Sequence, residues 1–155
     1  MGLKIVKGDL IKMALRGEFE LIAHGCNCMC AMGKGLDLSI MKFFPLACEI
    51  DGQTVKADEN KLGTCTFAEC PIENGTVLVV NAYTQFHFKG PRGRADYKAI
   101  KHCMKWIKNE FPKKKIGLPF IGAGLARGNW TKISAIIEEE LAGCDVTIVE
   151  FQKER

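Results

Sequence analysis

The chain has 155 residues, 47% hydrophobic and 26% charged, with a net charge of +4. That length buries a core without disulfide staples, so one domain over residues 1–155 is expected. No apolar run reaches the roughly 20 residues that cross a bilayer, and Met1–Lys7 reads as a strand rather than a signal peptide, so a cytoplasmic protein with no membrane partner is expected.

Leu3–Lys7 is a first strand, ending at Gly8-Asp9, and Glu20–Cys26 a second. Gly35–Phe44 has helical spacing, with Leu36, Ile40, Met41 and Phe44 on one face, and Pro45 stops it. Leu62–Ala68 and Thr76–Ala82 read as strands separated by the turn signal Glu73-Asn74-Gly75. Ala95–Phe111 is the clearest helix, with Ile100, Cys103, Met104 and Ile107 at helical intervals. Lys115–Phe120 is a strand, Thr131–Ala142 a helix ending at Gly143, and Asp145–Phe151 a last strand. The order β, β, α, β, β, α, β, α, β predicts an α/β fold with a mixed, mostly parallel sheet between helical layers.

Two glycine-bearing loops join strand to helix: His24–Gly35 and Ile121–Trp130. Glycines in that position let backbone N–H groups approach an anion at a helix N-terminus. In α/β sheets such loops lie beyond the carboxyl ends of the strands, where ligands bind. Two of them predict a ligand with two phosphates held between backbone walls.

The familiar phosphate motifs do not account for them. Gly33-Lys34-Gly35-Leu36 lacks the spacing and hydroxyl of a P-loop. Gly122-x-Gly124-x-x-Arg127 departs from the dinucleotide fingerprint at its last position, with too little chain following for a second Rossmann half. No Gly-x-Ser-x-Gly elbow is present. A catalytic cysteine is the remaining nucleophile reading, since Cys26, Cys28 and His24 are close in sequence. The eight cysteines are scattered through apolar surroundings and are expected to be reduced. Cys26-x-Cys28-x-Cys30 has neither the spacer nor the second ligand pair of structural zinc, so no metal and no cofactor are expected. Lys113-Lys114-Lys115 carries no interleaved aromatics and reads as a solvated turn.

Four segments resemble the macro domain family over nearly the whole chain. They are Gly8-Asp9-Leu10, His24-Gly25-Cys26-Asn27 through Gly33-x-Gly35, Asn81-Ala82-Tyr83-Thr84-Gln85, and Pro119-Phe120-Ile121-Gly122-Ala123-Gly124-Leu125-Ala126-x-Gly128-Asn129-Trp130. The last is similar to the second phosphate loop of a bacterial and phage branch. That branch includes the yeast-type ADP-ribose-1″-phosphate phosphatase and the terminal ADP-ribose glycohydrolase type. The resemblance implies a three-layer α/β/α macro domain that binds ADP-ribose or a derivative as a monomer. Nucleic acid is expected as a partner only where it carries ADP-ribose.

By the same resemblance, Asp9 accepts from the adenine amino group beside Leu10, and Asn27 contacts the distal ribose. Gly33, Gly35 and Leu36 border the phosphates, Gln85 the distal pocket, and Phe151 the adenine. Ile121, Gly122, Ala123, Gly124, Leu125, Ala126 and Arg127 wrap the other side of the diphosphate. Read from the residues alone, Asp9 equally caps a helix over Leu10–Leu15, Asn27 holds an Asx-type turn, and Trp130 packs beneath the second loop. His24 matches the histidine of the yeast-type phosphatase loop, and imidazole exchanges protons near neutral pH. Asp37 reads either as a ligand contact or as a first-turn acid on its helix. Two positions depart from related hydrolases: Gln85 stands where a lysine nucleophile is found, and Ala126 where an assisting acid is found. The expected function is hydrolysis of a substituent at the distal ribose, most directly a 1″-phosphate, with catalytic Asn27, His24 and Asp37. The alternatives are a non-catalytic ADP-ribose reader and an ADP-ribosyl hydrolase acting on modified protein or nucleic acid.

Overall fold

A computed structural model describes residues 2–154. Its centre is a six-stranded sheet of order β1-β6-β5-β2-β4-β3. The strands are β1 (Lys4–Gly8), β2 (Leu21–Asn27), β3 (Cys65–Ile72), β4 (Gly75–Gln85), β5 (Lys115–Leu118) and β6 (Asp145–Phe151). All neighbours run parallel except β3, which pairs antiparallel with β4 at the sheet edge. Edge placement explains how β3 tolerates Pro71, which has no N–H to give a second neighbour.

Helices α1 (Leu10–Leu15), α2 (Leu36–Phe43) and α3 (Pro45–Gly52) cover one face; α4 (Tyr97–Glu110) and α5 (Trp130–Glu140) cover the other. Along β2, Ile22 and Cys26 join the α1–α3 core, while Leu21 and Ala23 join the α4–α5 core. Along β4, Val77, Val79 and Tyr83 face the first core, and Val80 and Ala82 the second. The period of two therefore places β2's His24 and β4's Asn81, cross-strand partners in register, on the α2–α3 side. Burial on both faces is why these strands read as continuous apolar runs.

Two helices go beyond the expected order. Asp9 Oδ1 accepts from the backbone N–H groups of Ile11 and Lys12 at 3.0 and 3.1 Å, capping α1. Pro45 ends α2 as expected and also starts α3 at its first turn, where its fixed φ is favourable and its missing N–H costs nothing. The buried residues of α3 are Ala47 and Asp51, so it has no apolar stripe to reveal it. Strand β3 starts at Cys65 rather than Leu62, because residues 62–64 follow a 3₁₀ turn (Glu59–Lys61) and Gly63 has φ +87°.

Among the described residues no helix is long and apolar enough to cross a membrane. Gly117 of β5 has the Phe19 ring against its Cα: an added Cβ would lie 2.6–2.8 Å from three ring atoms. Gly117→Ala is therefore expected to cost about 1–3 kcal/mol through overpacking. Thermal denaturation would show this as a Tm lowered by several degrees.

Candidate functional site

The two glycine loops come together at the carboxyl edge of the sheet. They wall a single cavity of about 850 Å³ over the ends of β2, β4 and β5. Gly33, Gly35, Leu36 and Asp37 line one side; Ile121, Gly122, Gly124, Leu125, Ala126 and Arg127 line the other. The walls nearly touch, since a Cβ on Gly35 would sit 3.2 Å from Leu125 Cδ1. Gly35 is also the cap residue of α2, with φ +58° and no side chain to satisfy the first N–H groups of the helix.

What these walls offer is main-chain donors. The N–H groups of residues 33–37 and of Gly124, Leu125 and Ala126 donate to no backbone carbonyl among the described residues. The second loop is held from below. Gly122 has φ +76°, and an added Cβ would meet Ile100, Ile133 and Ala95 at 3.1–3.2 Å. Gly128 N donates to Gly122 O at 2.7 Å, and the rings of Phe120 and Trp130 pack at a tilt of 37° with centroids 4.6 Å apart. Lys34, Lys89 and Arg127 add positive charge around the opening. Rigid backbone donors beside cations form an anion site.

The side chains expected to meet ligand have structural partners already. Asn27 Nδ2 donates to Ala31 O at 2.8 Å, and its Oδ1 accepts from Met29 N at 2.9 Å, so the residue holds an Asx turn while lining the cavity. One amide hydrogen and one lone pair remain on it. Gln85 Nε2 donates to His87 O and Gly93 O at 2.9 and 3.0 Å, pinning the loop after β4. Arg127 adopts φ +55° and donates to Gly90 O at 3.3 Å, joining that loop to the second wall. Asp9, Leu10, Ala123 and Phe151 do not line this cavity. Asp9 and Phe151 instead lie at the ends of the paired strands β1 and β6, next along the edge from β5. Gln152 N donates to Gly8 O there, and Glu154 pairs with Arg16 at 2.7 Å.

A buried polar group adjoins the first wall, and two of its members, His24 and Asp37, line the cavity. His24, 1% exposed, sets its Nδ1 2.9 Å from Asp37 Oδ1 and its Nε2 2.6 Å from Asn81 Oδ1. Asp37 stands in the first turn of α2, where the helix dipole favours a carboxylate, and it lines the cavity. Cys26 Sγ is 3.5–3.7 Å from the imidazole nitrogens, so the cysteine and histidine do meet in space. Burial, reinforced by Asp37, pushes that thiol well above its usual range, and burial carries Cys28 up to about 11. A protonated thiol that does not line the cavity is no nucleophile. His24, Cys26 and Asp37 put three donor atoms within 4.8 Å of one another; with the ring nitrogen and the carboxylate already in contact, they read as a hydrogen-bonded cluster rather than an ion cage.

Sequence reasoning missed the loop after β4, where Phe88, Lys89, Gly90 and Gly93 line the cavity. Its signal was the Lys89-Gly90-Pro91-Arg92-Gly93 run, a cationic turn directly after a buried strand. Pro119 and Phe120, which open the second loop's motif, also wall the cavity.

The fold and the cleft define an α/β protein with a backbone anion site at the carboxyl edge of a mixed sheet. The Macro domain family model matches residues 23–137, and the chain belongs to that family. An uncharacterized 17.5 kDa protein of the tk-vs intergenic region of Enterobacteria phage T4 is 35% identical over 98% of both chains. A protein of unknown function from Bacteroides thetaiotaomicron superposes with TM-score 0.77 at 28% identity, covering 97% of this chain and 98% of that one. Thermosipho africanus DarTG, solved in complex with ADP-ribose, superposes with TM-score 0.75 at 19% identity, a likeness of fold. It covers all of this chain and 43% of the other.

Native-state alkylation at neutral pH, followed by mass spectrometry, is expected to leave Cys26 and Cys103 unmodified while the half-buried Cys144 reacts. Rapid labelling of Cys26 would contradict its burial and restore the cysteine nucleophile.

Proposed function

We propose that this protein binds ADP-ribose, or a molecule ending in it, and hydrolyses a substituent at the distal ribose, most directly a 1″-phosphate. The observation that carries the reading is the pair of backbone donor rows on the two walls of one cavity, which supports a ligand with more than one phosphate. The strand order supports an extended ligand. Its adenine end lies toward Asp9 and Phe151 at β1 and β6, its diphosphate over β5 and β2, and its distal ribose toward Asn27 and Gln85 at β2 and β4. The Thermosipho relative's complex with ADP-ribose supports the same choice of ligand.

In this mechanism the remaining amide hydrogen and lone pair of Asn27 orient the distal ribose. Asp37, on the cavity side, takes a proton from the attacking water as the water oxygen bonds to phosphorus. The bond from phosphorus to the ribose oxygen breaks, and that oxygen receives the proton from Asp37 and leaves as a hydroxyl, which returns Asp37 to its starting state. His24 also lines the cavity and, bonded to Asp37, acts through it. Positioning and the backbone donors that face the phosphoryl oxygens supply most of the acceleration.

A second reading, a reader without turnover, is favoured by one observation. Both amide hydrogens of Gln85 hold the neighbouring loop, and Ala126 is apolar, so neither position offers the chemistry of lysine-dependent relatives. Removal of ADP-ribose from a protein or nucleic acid would use the same cavity, with the target beyond the distal ribose.

Calorimetry is expected to show ADP-ribose binding more tightly than NAD, and Asn27→Ala weakening it. With ADP-ribose-1″-phosphate, phosphate release should fall about 100-fold or more in Asp37→Ala, with ADP-ribose affinity retained. Binding without release of phosphate would select the reader. Equal response to NAD, AMP and ADP-ribose would overturn the ligand assignment.

A further inference from the structure

We infer that Asn81 is a positioning residue: its side-chain amide fixes the proton on His24 Nε2, so that His24 Nδ1 and Asp37 share one further proton at the cavity wall. This deepens the role given above to Asp37 and rests on it for its functional meaning. The protonation pattern itself follows from hydrogen bonds alone.

The orientation of the Asn81 amide comes first. One of its ends lies 2.9 Å from the carbonyl oxygen of Ala47, which only accepts, so that end is the NH₂ group. The same nitrogen donates its second hydrogen to Thr66 Oγ1 at 3.1 Å. The amide oxygen therefore faces His24 Nε2, at 2.6 Å, and that ring nitrogen must carry a hydrogen. Asn81 is fully buried, so no water substitutes for any of these partners.

The far end of the chain agrees. Tyr83 donates its phenolic hydrogen to Asp51 Oδ1 at 2.7 Å, and its oxygen lies 3.1 Å from Thr66 Oγ1. With the phenol hydrogen committed to the carboxylate, Thr66 must donate to Tyr83, leaving its own lone pairs for Asn81. Burial pushes the Tyr83 phenol upward, which keeps that hydrogen in place. Every bond from His24 through Asn81, Thr66 and Tyr83 to Asp51 thus donates in one direction. Chains aligned this way polarise one another.

The consequence falls on Nδ1. A neutral imidazole protonated at Nε2 presents a bare lone pair at Nδ1, and a carboxylate oxygen 2.9 Å away presents another. Two acceptors do not sit at that distance without a hydrogen between them. The pair therefore holds one proton more than a neutral ring beside a free carboxylate, either as imidazolium with carboxylate or as imidazole with carboxylic acid. The other groups near the ring do not change this count. The Cys26 thiol from β2 is protonated by burial, Asp51 of α3 is reached only through the chain, and Lys61 stands over the Tyr83 ring at 5.0 Å. A carboxyl group backed by such a partner gives or takes a proton without moving.

With only three histidines in the chain, long-range proton–nitrogen NMR resolves the ring directly. In the wild-type protein at pH 7, His24 Nε2 is expected to show the shift of a protonated nitrogen. Asn81→Asp keeps an acceptor and should keep that signal. Asn81→Ala should lose it, with a second tautomer appearing. Release of phosphate in Asn81→Ala should fall about 10- to 100-fold, as when a supporting hydrogen bond to a working side chain is removed. Affinity for ADP-ribose should stay within about threefold. Wild-type His24 bare at Nε2 would overturn the inference, and so would an Asn81→Ala spectrum matching the wild type. Should Asn81→Ala fail to fold, the wild-type spectrum decides alone. A protonated Nε2 in a protein that turns over no ADP-ribose derivative would support the Asn81 assignment while overturning the proposed reaction.

Discussion

A backbone N–H without a partner is costly wherever water is withdrawn from it. This protein places two runs of such groups, over residues 33–37 and 124–126, on facing walls of one cavity. Much of the surrounding structure serves to keep them there. Gly35 turns the chain into α2 without a capping side chain, and Gly122 seats the second loop so closely that an added Cβ would lie 3.1 Å from the side chains of Ile100 and Ile133. The amides of Asn27 and Gln85 tie down the adjoining loops. Most of these donors are open to solvent, and an anion that supplies oxygens to both walls takes the place of the water that otherwise meets them.

Set against this shared scaffold, the polar cluster beside the first wall is made of different material. The walls are neutral main chain and depend on shape. Asp37 and His24 at the first wall, with Asn81, form a short hydrogen-bonded run that reaches from the cavity into the core between β2, β4 and α3. The parity of the strands produces it: His24 and Asn81 are register partners, so their side chains leave the sheet on the same face and meet directly. A register shift between Cys26 and Asn27 then turns the end of β2 so that Asn27 lines the cavity.

The parts of this legible in the sequence were those with periodicity or glycine punctuation. The strands β2, β4 and β6, the helix α4 and both glycine loops announce themselves through apolar runs or turn residues. Helix α3 did not, since its buried positions are Ala47 and Asp51 rather than a hydrophobic stripe. Asn81 appeared only as part of a motif. Its importance depends on facing His24 across a strand pair 57 residues apart in sequence, a relation no local pattern contains. Asp9 shows the reverse: its sequence reads as an adenine contact by resemblance and as a helix cap by local pattern, and in the structure Oδ1 caps α1 with the residue outside the main cavity.

Under the proposed function both walls grip the same diphosphate. The sharpest check is a set of amide proton–nitrogen correlation spectra recorded during titration with ADP-ribose. Signals from residues 33–37 and from Gly124, Leu125 and Ala126 are expected to move together, with one common saturation point. Movement of one wall alone, or of neither while signals elsewhere respond, would contradict it.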